Sequence, residues 1–334
     1  MRDRHLLIGS LTVLAAACGF ALLGPLARFA YGTGLEPFSF VAWRALFGTL
    51  IVAAYAAFRI KRGRPFVPPW QLPTRQAALL GVAVATSIIL NVASFIAFGR
   101  TTVALVLLGF YTYPAFVAVI AVALRHEALD ATRVGALVLA FAGMILVVAG
   151  GLDPASGLKP DALGIALALV AALAQTVFVT ISRTGYPAIP TEQAMGWILG
   201  TTMVAAAAIS IAIGTSAQLA LPATQLDALT LTVIAGVVAA GIPSVLFLTG
   251  IRSIGGTRTG ILMLFEPVVG VLLAAAWLDE SLRPIQVLGG VAILGAALLL
   301  QRSSRTPEPL ATGRETPAAV SDDVPDVAGL RREA

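Results

Sequence analysis

Apolar residues run along this chain in stretches of about twenty, separated by short polar gaps. The runs are read at 6–27, 38–58, 77–98, 102–124 and 134–151, then at 162–182, 194–214, 228–250, 260–278 and 285–301. A helix rises about 1.5 Å per residue, so each run is long enough to cross roughly 30 Å of hydrocarbon. Inside that slab every backbone polar group must find its partner within its own segment, which leaves helix as the form for runs this long. The pattern therefore predicts an all-α membrane protein of ten transmembrane helices. Met1-Arg2-Asp3-Arg4-His5 with the following apolar residues and Ala15-Ala16-Ala17-Cys18 also resembles a signal peptide. The run continues past Cys18 through Leu22, Leu23 and Leu26, too long for a signal core, so a retained first helix fits better. From about residue 302 the chain turns to Pro, Ser, Thr and mixed charge, and 302–334 is expected to be a disordered cytoplasmic tail.

Composition adds little to the pattern but excludes much. At 58% hydrophobic and 12% charged, with mean hydropathy +0.92, a chain of 334 residues would not stay in solution. The net charge of +5 is not a nucleic-acid signal, because the cations sit in the gaps rather than on one face. With the amino terminus taken as cytoplasmic, alternate gaps collect fourteen Lys and Arg: Arg2, Arg4, Arg59, Lys61, Arg62, Arg64, Arg75, Arg125, Arg133, Arg183, Arg252, Arg258, Arg302 and Arg305. The other side holds four, Arg28, Arg100, Lys159 and Arg283, so both termini are expected in the cytoplasm and the chain in the inner (plasma) membrane. Cys18 has no second cysteine to pair with, and His5 and His126 form no zinc or nucleophile spacing. No cofactor, metal or enzymatic activity is implied.

The chain repeats itself. An offset of 155 residues places Gly9 on Gly164, Ala16 on Ala171, Arg28 on Arg183 and Gly81 on Gly236; a contraction to 153 then places Pro114 on Pro267 and Glu127 on Glu280. The expected units are 1–151 and 152–301, each of five helices. Five is odd, so the second unit enters the membrane from the opposite side and the halves are inverted. Two near-equivalent inverted halves can open in turn to either face, which is how secondary transporters are built.

Residues in both halves carry a family resemblance. The first has Gly19, Arg28, Glu36-Pro37 and Arg44, then Pro114, Leu124-Arg125-His126-Glu127, Gly135 and Gly143. The second has Phe265-Glu266-Pro267-Val268, Leu278-Asp279-Glu280, Gly289, Gly290 and Gly295. Over about residues 6 to 301 the chain resembles the drug/metabolite transporter superfamily, in particular its EamA-type ten-helix exporters. The resemblance implies a central cavity lined by both halves, peripheral fifth and tenth helices where a homodimer contact would form, and efflux of amino acids or related small-molecule metabolites. Arg44 falls opposite Leu199 and Glu266 opposite Tyr113, asymmetries that leave the substrate open.

Two formally charged side chains lie well inside a span, Arg44 and Glu266. A charge at mid-membrane costs about 2.5–3.5 kcal/mol on insertion scales, so each calls for a partner, a wet cavity or a task. Glu266 precedes Pro267, whose ring removes a backbone donor and makes a polar break. It is a candidate to exchange a proton with water or to meet a substrate ammonium; the alternative is a Glu that bonds loosened backbone on another helix. Arg44, beside Trp43, is either an anchor or interhelical pair, or a guanidinium fork for a substrate carboxylate. Tyr113, matched to Glu266 in the repeat, joins Tyr111, Asn91 and Gln175 as polar groups at span depth. Pro114 and Pro267 are hinge candidates, while Pro25 and Pro243 read as packing. The small-residue pairs Gly135 with Gly143 and Gly289 with Gly295 are expected to let helices approach closely. Glu127, Asp279 and Glu280 complement the starts of helices five and ten. The competing functions are a membrane-embedded enzyme on lipid-linked substrates and a non-transporting scaffold or sensor.

Overall fold

The computed structural model describes residues 2–101, 103–124, 130–150, 161–277 and 283–303, and among these every regular element is helical. The expected tail, the loop with Glu127 and the turn with Asp279 and Glu280 lie outside the described residues. Among the described residues nine helical stretches are long and apolar enough to cross a membrane; the last apolar helix, Pro284–Leu300, is shorter.

Several of the predicted single helices are interrupted. The first span consists of α1 (Arg2–Ala21) and α2 (Leu23–Gly32), separated at Leu22, with Pro25 in the first turn after the break. Next come α3 (Pro37–Lys61) and α4 (Thr74–Arg100), both continuous. The fourth run is α5 (Val103–Phe110) followed by α6 (Tyr113–Ala123), and the fifth is α7 (Ala131–Gly150). In the second half α8 (Ala162–Thr184) and α9 (Thr191–Ala212) are continuous, and two single turns, α10 (Ser216–Leu219) and α11 (Leu221–Thr224), follow them. The eighth run is α12 (Leu226–Ile234), a π-helical segment Ala235–Gly241, and α13 (Ile242–Ile254). The ninth is α14 (Gly256–Met263) and α15 (Glu266–Trp277), and the tenth is α16 (Pro284–Ser303).

Acidic side chains cap two of the helix starts, α3 and α8. Glu36 caps α3 by accepting from the Phe38 and Ser39 amides at 2.9 and 3.0 Å, with Pro37 at the first helical position where no donor is needed. Asp161 caps α8 through the Leu163 and Gly164 amides at 2.7 and 3.1 Å and pairs with Arg100 at 2.9 Å. The Gly164 amide and the Arg100 guanidinium together hold the Asp161 carboxyl below its usual range.

Helices that the sequence offset makes equivalent lie against one another, and they run antiparallel. Along α3 and α9, Ser39 hydrogen-bonds Ser210 at 2.9 Å at one end while Val52 lies beside Gly196 toward the other. The fourth and ninth runs, equivalent as wholes, meet through their non-equivalent halves α6 and α14, where Pro114 faces Gly260 and Val117 faces Gly256. Along α7 and α16, Gly143 meets Gly289 and Gly150 meets Gln286. The exchange is also seen in unlike pairs, since α1 packs along α13 as α8 packs along α4. The Gly143–Gly289 crossing is so close that a Cβ built on Gly289 would sit 2.4 Å from the Gly143 carbonyl oxygen. Close approach thus pairs Gly143 with Gly289 across helices; Gly135 has nothing within 4 Å of where its Cβ would be. A second crossing sets Gly48 of α3 against Gly236 and Gly241 of the π-helical segment, and Gly19 rests on Pro243.

Candidate functional site

The two interrupted spans α5–α6 and α14–α15 break at positions that the 153-residue offset makes equivalent. Tyr111 and Thr112 separate α5 from α6, and Leu264 and Phe265 separate α14 from α15. Each second half-helix carries proline at its second residue, Pro114 or Pro267, where the missing amide costs no helical bond. The turns close on i−3 carbonyls: the Thr112 amide on Gly109 at 3.3 Å, the Leu264 amide on Ile261 at 3.2 Å and the Phe265 amide on Leu262 at 3.1 Å.

These breaks bring the predicted residues together. The Tyr111 hydroxyl lies close enough to the Glu266 carboxyl to act on it, and Tyr113 lies within electrostatic reach of the same carboxyl. Both tyrosines are buried, whereas Glu266 is only half-buried. Phe110 packs its ring 5.2 Å from Tyr111 and 5.3 Å from Tyr113, holding both phenols in place. Thr176 of α8 donates to the Ala172 carbonyl at 2.7 Å and reaches the Tyr113 carbonyl at 3.5 Å; Gln175, beside it, is buried as well. Phe178 of α8 stacks on Phe247 of α13 at 6.5 Å, and Phe20 of α1 meets Phe247 edge-on at 6.1 Å.

Arg44 belongs to a separate cluster. Its guanidinium donates to the Asn91 side-chain oxygen at 2.8 Å, and the Asn91 amide donates in turn to the Ser87 carbonyl at 2.8 Å. Ser87 continues to Thr202 of α9 at 3.3 Å, and Tyr31 of α2 lies within electrostatic reach of Arg44. The Asn91 contact ties α3 to α4. Trp43 turns the other way, donating its indole N–H to the Leu219 carbonyl at 2.7 Å and stacking on Phe47. The predicted set therefore divides into Glu266 with Tyr111 and Tyr113, Arg44 with Asn91, Gln175 on α8, and Trp43 outside both clusters.

Sequence reasoning passed over Tyr31, Phe110 and Thr202. Tyr111 was legible as a polar group at span depth, but nothing in the local sequence set Phe110 apart from other core aromatics.

Packing is unequal on the two sides of the breaks. All eight residues of α14 are buried, and Pro114, Val117, Ala118 and Ala121 of α6 are buried with them. Beyond the breaks, Pro267 is the one buried residue of α15 and Val106 that of α5 among the described side chains. The hydroxyls of Thr257 and Thr259 in α14 are buried without a hydrogen-bond partner.

The profile of the EamA-like transporter family matches residues 7–149 and again 162–302. A protein of Archaeoglobus fulgidus described as an uncharacterized transporter is 27% identical over 282 residues, which is 84% of this chain and 93% of its own. A protein crystal structure of 19% sequence identity superposes with a TM-score of 0.74, covering 89% of this chain and 99% of that one, a likeness of fold.

Proposed function

Since the chain belongs to the EamA-like transporter family, we propose that it is a secondary exporter of small zwitterionic metabolites such as amino acids, working by alternating access between two inverted five-helix halves, 1–151 and 152–301. The family match falling twice along the chain supports the repeat, and the antiparallel packing of equivalent helices supports the inversion. All ten helices, α16 included, then cross the membrane, and both termini face the cytoplasm.

The observation that carries the reading is the half-buried Glu266 beside Tyr111 where two broken helices meet. An ionisable group at mid-depth on a break can take a substrate ammonium or a proton and release it when the surroundings change. Tight burial of α14 and α6 against the looser packing of α5 and α15 supports a state closed on one face and open on the other. In this scheme Arg44, set apart by its bond to Asn91, serves the substrate carboxylate at an outer station of the path.

The test is solute flux. Purified protein in sealed vesicles should move at least one member of a radiolabelled panel of amino acids and sugars, in a direction set by the imposed gradient. Tight binding of a panel member with no flux would support the sensor reading instead.

A further inference from the structure

We propose that the segment joining α3 to α4 is a built seat for the phosphate of an anionic phospholipid headgroup. This loop, residues 62–73, carries Arg62 and Arg64 with Lys61 and Arg75 at its flanks, and from Arg59 to Arg75 it contains no acidic residue. It is also stiff. Pro65, Pro68, Pro69 and Pro73 restrict its backbone, and Pro69–Gln71 forms a turn of 3-10 helix.

A single side chain from the other half of the protein clamps it. Gln193, in the first turn of α9, accepts from the Val67 amide at 2.8 Å and donates to the Pro65 carbonyl at 2.8 Å. The clamp presents Phe66 and Trp70 outward, Trp70 with 73% of its surface exposed. Trp70 meets Trp197 of α9 edge-on, ring centres 6.0 Å apart. Trp197, Val204 and Ile211 are exposed at seven-residue spacing, one lipid-facing stripe of α9. Trp197 is six residues beyond Thr191, so Trp70 folds back about 9 Å along that stripe, to the depth where indoles sit at a membrane interface. An indole at that depth, with Arg62 and Arg64 past the end of the neighbouring α3, brackets the level of a lipid phosphate. Arg62 already lies over the Phe58 ring at 4.6 Å, which holds its guanidinium at the helix end. Positive charge, interfacial aromatics and a fixed backbone together fit the headgroup of an anionic lipid in the adjoining leaflet.

The test reads tryptophan emission from the full-length protein in vesicles with bromine-labelled lipid, taking the part of the quenching that Trp70→Phe removes. Brominated phosphatidylglycerol should quench Trp70 at a lower mole fraction than brominated phosphatidylcholine, by about fivefold for each arginine engaged. Arg62→Gln combined with Arg64→Gln, both at exposed positions, should bring the two midpoints together. Gln193→Ala, which changes no charge, should weaken Trp70 quenching by both lipids as the loop lifts. Equal midpoints in the unmodified protein, or a separation that survives the double substitution, would overturn the proposal. Inorganic phosphate should leave the quenching curves unmoved; if it abolished the phosphatidylglycerol preference, a soluble anion rather than a lipid would occupy the seat.

Discussion

The contact between Glu266 and Tyr111 joins residues 155 positions apart in sequence through two helix breaks, and each partner tests a different part of the proposal. Glu266→Gln keeps the size and hydrogen-bonding capacity of the side chain but cannot carry a proton. It should insert and fold, bind to the same detergent-stable monodisperse peak, and lose the pH dependence of flux in vesicles; flux that still varies with pH would remove Glu266 from the coupling step. Tyr111→Phe removes a hydroxyl that can hydrogen-bond an ionisable group, an interaction worth about 1.5–3 kcal/mol, and should weaken substrate binding roughly tenfold or more in a direct binding titration. Arg44→Lys loses the fork that reaches Asn91. Weakened substrate affinity would place Arg44 on the substrate path, whereas unchanged affinity would leave it as the interhelical tie that its contacts describe. At this scale the sequence exposed Glu266, Tyr113 and Arg44 because charge and repeat position mark them without any coordinates. It did not expose the division into two clusters, since the turns of α3 and α4 that pair Arg44 with Asn91 leave no local mark.

Helices were legible nearly to their ends, because twenty apolar residues in a row admit one backbone solution in lipid. Breaks inside them were legible only where proline and repeat coincide, at Pro114 and Pro267. Pro25 and Pro243 look the same in sequence, yet one follows the break at Leu22 and the other the π-helical segment, because Gly19 and Pro243 must fit past each other. The glycine crossing of α7 and α16 gives a sharp prediction. Gly289→Ala would force a methyl to within 2.4 Å of the Gly143 carbonyl oxygen, with backbone rather than a flexible side chain in the way. Overpacking of this kind costs about 1–3 kcal/mol, and thermal unfolding in detergent should move down by several degrees; Gly135→Ala, which meets nothing, should not move it. At the start of α8 the carboxyl of Asp161 is held low by the Gly164 amide and Arg100. A lowered carboxyl contributes stability that is present above its ordinary value of 3.8 and fades as pH falls below it. The difference in melting temperature between the protein and Asp161→Asn, which keeps a capping oxygen, should therefore be present at neutral pH and vanish in acid.

For the whole molecule the inverted-repeat reading makes two demands. A reporter placed near Asp153 should fall on the membrane side opposite to one at the amino terminus, and a shared side would mean an even number of crossings in the first half. The unequal burial about the breaks should also appear in chemistry. In a background lacking Cys18, cysteines at Leu107 and Val268 should react with a water-soluble maleimide faster than cysteines at Val117 and Leu262, which are buried. Equal rates would dissolve the picture of a cavity open on one side. The offset between residues was legible in the sequence, but which half of each broken span is tightly packed was not, since apolar residues fill both halves.

The interruptions at Tyr111–Thr112 and Leu264–Phe265 have a mechanical consequence. A rod whose regular ladder already stops at mid-depth can be bent there at the cost of a few i−3 turn bonds, and proline just past each cut keeps the ladder from re-forming across it. The half-helices on either side run to about two or three turns each, and the loosely packed ones, α5 and α15, have the least contact to strip if they swing. Their fulcrum is where Glu266 and Tyr111 lie side by side, so movement of either lever is felt first between them.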